Sequence, residues 1–266
     1  MNLIIRGMSC ILFLSLPFGI ASAQVRPDTA KIDTARSLTV LPDSVKPLKS
    51  KFRAFIVPAA FISYGALSFA LPPIRQVDHS IHNEMTQHYP NFRSTIDNYL
   101  QFAPTVGVYA LNFAGVQGKN TFIDRTILLV MSEAIFYAAT AGLKAATGRL
   151  RPDGSNRYSW PSGHAGNAFT SAEFMAQEFS GRSPWYGVMA YSFATTTAVM
   201  RIYNDKHWFS DIIAGAGFGI IATKTAYYIY PAIRKKLFRA KEGKNKALLL
   251  PSFRYGTPGI LFTATF

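Results

Sequence analysis

The sequence KAATGRLRP (residues 144–152) is the first of three short charged motifs, and PSGH (161–164) and RIYNDKHWFSD (201–211) are the other two. All three lie between long apolar stretches that are candidates for insertion into a membrane. Ionisable side chains are costly in such surroundings and are kept there mainly for function. The motifs therefore predict one polar site within an otherwise apolar bundle of helices.

The basic residues of these motifs suit a phosphate group. A phosphate monoester carries about two negative charges and three strong acceptor oxygens. Lys144 supplies a point charge, whereas Arg151 and Arg201 supply planar forks that bind oxygens in pairs. Ser162 and Gly163 add a hydroxyl and backbone N–H groups at a predicted helix N-terminus, where anions bind readily. These five residues are the candidate phosphate-binding residues.

The two histidines and the carboxylate suit phosphoryl transfer. His207 and Asp211 are four positions apart and would share one face of a helix. There the carboxylate can hold the proton of one ring nitrogen and leave the other nitrogen free to attack phosphorus. His164 would then protonate the leaving alkoxide as general acid. These three candidate catalytic residues predict a phosphohistidine intermediate.

Each motif alone also has an ordinary structural interpretation. A histidine on an apolar helix is commonly a hydrogen-bonded core residue, PSGH can be a turn that caps a helix, and Arg-Pro commonly closes one. The combined order is more specific. Lys-x6-Arg-Pro, Pro-Ser-Gly-His and Arg-x5-His-x3-Asp together resemble the signature motifs of the type 2 phosphatidic acid phosphatase (PAP2) superfamily. The resemblance is close over residues 144–211 and extends by general pattern over residues 54–230.

The resemblance implies an all-α fold, a six-helix membrane-embedded bundle of the type shared by PAP2 phosphatases and vanadium haloperoxidases. It implies metal-independent hydrolysis of phosphate esters without a cofactor. It makes His164 the acid, His207 the nucleophile and Asp211 its orienting partner. The phosphate ligands it implies are Lys144, Arg151, Ser162, Gly163 and Arg201. One position departs from the family pattern, because Met200 stands where a serine usually precedes the arginine.

Composition supports a membrane protein. The chain is 49% hydrophobic and 16% charged, with a formal net charge of +14. The basic excess flanks apolar stretches, at residues 46–53 and 234–246, which is the pattern of cytoplasmic ends and of anionic lipid surfaces. We therefore expect a membrane and a membrane lipid phosphate as partners, and no nucleic acid. Cys10, the single cysteine, excludes an intrachain disulfide.

The chain divides into four predicted parts: a signal peptide or uncleaved anchor at 1–23, a linker at 24–53, a phosphatase domain at 54–233 and a basic tail with a short hairpin at 234–266. Six helices are predicted, at 54–71, 99–116, 126–147, 163–179, 185–201 and 208–230. The fourth is too polar to face lipid, so it should be the sheltered central helix. Residues 74–97 are predicted as a solvated amphipathic loop. That loop holds a possible metal-binding group formed by His79, His82 and His88 with Asp78 and Glu84.

Topology leaves two signals in conflict. Six spans with cytoplasmic basic ends place the site on the periplasmic side of a bacterial inner membrane. A cleaved leader would deliver residue 24 outside and invert this order. Either the leader stays uncleaved, or one segment, 54–71 or 163–179, does not cross.

The leading hypothesis is hydrolysis of a phosphate monoester or diphosphate of a membrane lipid that enters sideways. The region 99–230 is similar to lipid A phosphatases, and Arg149, Arg157 and Lys206 are candidates for a second phosphate or sugar. The alternatives are a soluble periplasmic non-specific acid phosphatase, a vanadate-dependent haloperoxidase, a metal site on the two motif histidines and the motif aspartate, and a membrane protein without activity.

Overall fold

The computed structural model of the protein describes residues 52–237, 246–254 and 257–265, and the side chains of residues 53–235. The predicted leader at 1–23 and all but the end of the linker at 24–53 lie outside the described residues.

The described residues form a helical bundle followed by one hairpin. After a 3₁₀ turn at Phe52–Phe55 come α1 (Ile56–Leu67), α2 (Pro72–His88), α3 (Asp97–Leu100), α4 (Ala103–Phe113), α5 (Phe122–Thr147), α6 (Gly163–Glu178), α7 (Pro184–Tyr203) and α8 (Phe209–Leu237). The strands β1 (Lys246–Arg254) and β2 (Thr257–Thr265) pair antiparallel. The predicted all-helical bundle with a C-terminal hairpin is confirmed.

The described residues contain two helices beyond the six predicted. The prediction of a loop at 74–97 is wrong, because Pro72–His88 form an amphipathic helix. Pro72 and Pro73 occupy its first positions, where a missing N–H costs nothing, so the two prolines begin a helix as well as ending one. The axes of α1 and α2 meet at 87°. This bend carries α2 across the bundle and brings Asp78, which is buried, towards the start of α8.

Two of the described helices, α5 and α8, are long and apolar enough to cross a membrane. The bent pair formed by α1 and α2 adds a third candidate if the pair counts as one broken span. Pro231 lies inside α8.

Helix α6 is the centre of the bundle, as predicted. Eleven of its sixteen residues are buried, and it packs against α4, α5, α7 and α8. Its contact with α8 is close: a Cβ added to Gly219 would lie 2.2 Å from the carbonyl oxygen of Gly166. A side chain at Gly219 would therefore push α6 and α8 apart, whereas one at Gly166 would clash first with the ring of Phe136 on α5.

A buried charge network secures the far end of α6. Glu178 Oε2 accepts a hydrogen bond of 3.0 Å from Arg125 Nε, and its Oε1 accepts bonds of 2.5 Å from Asn120 Nδ2 and from the Tyr227 hydroxyl. Because a buried charge must be paired, this network fixes α5, α6 and α8 relative to one another.

Candidate active site

The predicted site residues lie at helix ends on the same side of the bundle. Lys144 stands in the last turn of α5, and Arg201 stands near the end of α7. Ser162, Gly163 and His164 form the start of α6, and Asp211 lies in the first turn of α8. The loops carry the remaining two residues, Arg151 before α6 and His207 before α8.

Lys144 joins the first motif to the second. Its Nζ donates hydrogen bonds to the carbonyl oxygens of Pro161 (2.5 Å) and Tyr158 (3.1 Å). A Cβ on Gly163 would lie 4.0 Å from Lys144 Cε. The lysine side chain therefore lies against the turn that opens α6.

The second motif also meets the third. The backbone N–H of Ser162 donates to the carbonyl oxygen of Asp211 (3.0 Å), while the Ser162 hydroxyl caps α6 by accepting from the Ala165 N–H. A Cβ on Gly215 would lie 2.5 Å from the carbonyl oxygen of Ser162, so only glycine permits this approach. The start of α8 is thus held directly against the start of α6.

The two arginines concentrate positive charge at this junction. Burial lowers the pKa of Arg151, and the nearby positive charge of Arg201 lowers it further. The Nε atoms of both guanidinium groups are buried and have no hydrogen-bond partner among the described residues. Arg201 Nη1 donates to Asp97 Oδ2 (2.6 Å). Two clustered guanidinium groups with unpaired donors form a suitable site for an anion.

His207 is buried and neutral at neutral pH. Its Nδ1 lies 3.7 Å from Asp211 Oδ2, longer than a hydrogen bond. Burial lowers the pKa of His207 to about 4, outweighing the opposing attraction of Asp211, and Arg201 and Lys144 lower it further. A neutral imidazole is the form that a nucleophile needs, and such contacts commonly tighten when substrate binds.

Asp211 has more partners than the sequence indicated. Its Oδ1 accepts from Arg149 Nη1 (2.7 Å), and its Oδ2 accepts from the Ser159 hydroxyl (2.5 Å) and the Trp208 N–H (3.0 Å). The carboxylate is fully buried. It therefore interacts with His207 as one member of a larger polar network.

Two of the three residues proposed for a second phosphate or sugar form ion pairs within the protein. Arg149 pairs with Asp78 and Asp211, and Lys206 Nζ pairs with Asp153 Oδ2 at 2.6 Å. The prediction is wrong for Arg149, whose guanidinium is held by two buried carboxylates, and it stays a prediction for Lys206, whose side chain is 37% exposed.

His164 has a partner that the sequence analysis missed. Its Nε2 lies 2.8 Å from Asn98 Oδ1, and the neighbouring Asp97 binds Arg201. The short helix α3 therefore contributes two polar side chains to the site. A signal was present in the sequence: several cations among apolar stretches need buried counter-charges, and Asp97 stands two positions before the predicted helix at 99–116.

The histidines of α2 have separate partners. His82 Nδ1 lies 2.8 Å from Asp205 Oδ1, and His88 Nδ1 lies 3.3 Å from Glu84 Oε1 in its own helix. Asp78 is engaged by Arg149. These residues do not converge as the possible metal-binding group required.

An apolar cavity of ≈ 600 Å³ begins beside the site and runs between α1, α6, α7 and α8. Ala198 lines it one turn before Arg201, and Ile202 and Ile212 line it directly after Arg201 and Asp211, while none of the eight candidate site residues lines it. Glu173 and Lys224 also line it, and they form an ion pair of 2.6 Å.

Comparison with known proteins gives the following similarities. Residues 125–235 match the sequence model of the PAP2 superfamily. The chain is 30% identical over 217 residues to the lipid A 1-phosphatase of Porphyromonas gingivalis, a match that covers 77% of this chain and 46% of the relative. The chain thus spans about half the length of the curated relative that it matches.

Two solved structures are also similar. The transmembrane PAP2 type phosphatidylglycerolphosphate phosphatase of Bacillus subtilis is 18% identical with a TM-score of 0.48, covering 72% of this chain and 100% of that one. Aquifex aeolicus LpxE is 18% identical with a TM-score of 0.39, covering 54% of this chain and 92% of that one.

Proposed function

This chain belongs to the PAP2 superfamily, and we propose that it is a membrane phosphatase that hydrolyses a phosphate ester of a lipid through a phosphohistidine intermediate. The observation that carries the proposal is the junction of four helix ends. There a buried neutral His207, backed by Asp211, lies in the electrostatic field of Lys144 and Arg201. His164 shares this field, since it interacts with Arg201 and His207.

The phosphate group would bind at the N-terminus of α6. Lys144, Arg151 and Arg201 offset its negative charge, and the unpaired Nε donors of the two arginines support this role. Ser162 and Gly163 supply the helix N-terminus, where the helix dipole favours an anion.

In the first step, Nε2 of His207 attacks phosphorus. A P–N bond forms, and the P–O bond to the lipid breaks. Before phosphate binds, burial and the positive charge of Arg201 lower the pKa of His164 to about 4. The negative charge of the bound phosphate raises this pKa, so that a protonated His164 gives its proton to the leaving alkoxide. Asp211 stabilises the imidazolium by accepting a hydrogen bond from Nδ1–H. Positioning and charge supply the catalysis, as in other phosphoryl transfers.

In the second step, water attacks the phosphorus of the phosphohistidine. His164, now neutral, accepts a proton from this water. The P–N bond breaks, inorganic phosphate leaves, and neutral His207 is restored. None of these steps calls for a metal ion, so we propose a metal-independent phosphatase.

A lipid substrate is supported by the apolar cavity that adjoins the site. Its lining of mainly aliphatic and aromatic side chains suits an acyl chain, and the lining residue Ala198 stands one turn from the proposed phosphate ligand Arg201. The curated relative is named a lipid A 1-phosphatase, so a phosphorylated glycolipid of the lipid A kind is the first substrate to test.

The proposed location is the bacterial inner membrane, with several spans and the site facing the periplasm. The apolar helices α5 and α8 support membrane insertion. The basic flanks at residues 46–53 and 234–246 support cytoplasmic ends.

Phosphate release from purified protein in detergent tests the proposal. The panel contains lipid A, phosphatidic acid, phosphatidylglycerophosphate and undecaprenyl diphosphate, each with and without a chelator. We expect activity that survives the chelator and falls about 10³-fold or more in His207→Ala. The matched control is His88→Ala, an exposed histidine of α2 that should keep full activity. Wild-type protein inactive on every lipid, or a fully active His207→Ala, contradicts the proposal.

A further inference from the structure

Arg149 contacts Asp211 directly, and the mechanism above gives it no role. Its Nη1 donates to Asp211 Oδ1 at 2.7 Å and to the Ser210 hydroxyl at 2.8 Å. Its Nη2 donates to Asp78 Oδ2 at 2.6 Å. The guanidinium therefore links the orienting carboxylate to a second buried carboxylate from α2.

Both ends of this link are fixed. Asp78 Oδ1 accepts from the Ser210 N–H (2.8 Å), and its Oδ2 accepts from the Ser210 hydroxyl (2.6 Å). The Arg149 guanidinium carbon lies 5.3 Å from the ring centre of Phe69 and 5.7 Å from that of Trp208, close enough for cation–π attraction. A planar group held by two carboxylates and two rings has little freedom to move.

The two oxygens of Asp211 have different partners. Arg149 binds Oδ1, whereas Oδ2 accepts from Ser159 and is the oxygen nearest the His207 ring. We propose that Arg149 and Asp78 are positioning residues for phosphoryl transfer: Asp78 holds Arg149 in place, and Arg149 holds Asp211 and neutralises part of its charge, so that Asp211 orients His207 without drawing a proton onto the ring. This inference rests on the proposed function.

Charge balance at His207 explains why such a link matters. The charged and titratable groups that interact with the ring come from four helices: Asp211, Arg201, Lys144 and His164. Of these, Asp211 alone favours the imidazolium. Without Arg149 its negative charge would act on the ring undiminished, and the nucleophilic nitrogen would be protonated at higher pH.

Substitutions at Arg149 separate charge from geometry. Arg149→Met removes both the positive charge and the planar guanidinium group. Arg149→Lys keeps the charge but loses the paired donors that bind two carboxylates at once. We expect kcat to fall about 10- to 100-fold in both, with KM changed by less than about threefold, because a misplaced nucleophile is costly whereas phosphate binding is untouched. The acid limb of kcat should move up by about one pH unit in Arg149→Met and stay in place in Arg149→Lys.

Arg125→Met is the matched control. Arg125 is a buried arginine paired with Glu178, about 28 Å from Lys144 along α5 at 1.5 Å per residue. It should lower the melting temperature without moving the acid limb. If Arg149→Met fails to fold, Asp78→Asn is the milder variant and should show the same fall in kcat at unchanged KM.

The final readout does not depend on activity. The imidazole of His207, identified by the NMR signal that His207→Gln removes, is titrated in wild type and in both Arg149 variants. A midpoint that rises in Arg149→Met but not in Arg149→Lys supports the inference even if no lipid phosphate is hydrolysed, in which case only the proposed function fails. An unchanged midpoint in Arg149→Met, or a raised KM at constant kcat, overturns it.

Discussion

Asp97 and Arg201 are 104 positions apart in the sequence, yet Arg201 Nη1 donates a hydrogen bond of 2.6 Å to Asp97 Oδ2. The pair is buried, with 8% of the arginine side chain and 1% of the aspartate side chain exposed. The second carboxylate oxygen, Oδ1, has no hydrogen-bond partner among the described residues. Asp97 is therefore the counter-charge that holds a proposed phosphate ligand in place before any substrate binds.

Asp97→Ala should destabilise the protein by about 3–5 kcal/mol, because it leaves the buried Arg201 charge unpaired. A bound anion restores a partner to that charge. Inorganic phosphate should therefore raise the melting temperature of Asp97→Ala more than that of wild type, as a thermal-shift titration in detergent will measure.

The matched control is Glu178→Ala, which unpairs the buried Arg125 at the far end of α6. It should lose a similar amount of stability but recover nothing from phosphate. Equal phosphate responses in the two variants would show that Arg201 does not bind the anion.

The sequence predicts those parts of the site that depend on local spacing. The PSGH cap, the approach of His207 to Asp211 and the central position of α6 all follow from residues a few positions apart, although His207 lies in the loop before α8 and shares no helix face with Asp211. The partners of these residues do not. Arg149 meets Asp78 across 71 positions, and that contact depends on the 87° bend between α1 and α2. Two prolines signal the bend, but nothing local fixes its angle.

The free energy of unfolding should depend on pH through Asp153, which lies in the loop between α5 and α6. Burial alone would raise the pKa of this carboxyl, but the hydrogen bonds from Lys206 and Ser155 outweigh it and hold the pKa at about 2. A carboxyl with a lowered pKa stabilises the fold above its unfolded pKa, about 3.9, and loses that contribution as the pH falls towards 2. The contribution should stay below about 1 kcal/mol because Lys206 is partly exposed.

Asp153→Asn should accordingly lower the melting temperature slightly at pH 6, and the difference from wild type should shrink as the pH approaches 2. Melting curves at successive pH values give the comparison. A difference that grows with acidity would contradict the assigned direction of the shift.

The apolar cavity should select substrates by their acyl chain. Ala198→Trp would fill the cavity one turn from Arg201 without replacing a polar group. We expect kcat/KM for a long-chain lipid phosphate to fall at least about tenfold, and kcat/KM for a short soluble phosphate ester to stay within about twofold. The control is Val130→Trp, at an exposed position of α5, which should leave kcat/KM unchanged for both substrates. Equal losses on both substrates would mean that the cavity does not hold the chain.

Asn98 should matter only when the leaving group needs a proton. Its Oδ1 lies 2.8 Å from His164 Nε2 and can accept a hydrogen bond from that nitrogen, which fixes the orientation of the ring. Asn98→Ala leaves the proposed nucleophile and cations in place but frees the ring of His164 to turn. General acid catalysis contributes about 10²–10⁴-fold, and a misdirected acid should lose a part of this, about tenfold or more, on an alkyl phosphate. The p-nitrophenolate group of an aryl phosphate such as p-nitrophenyl phosphate leaves without protonation, so kcat for this substrate should change little. The ratio of the two kcat values in Asn98→Ala and in wild type is the measurement, and His164→Ala sets its upper limit. A uniform loss on both substrates would assign Asn98 to the packing of α3 and not to the acid.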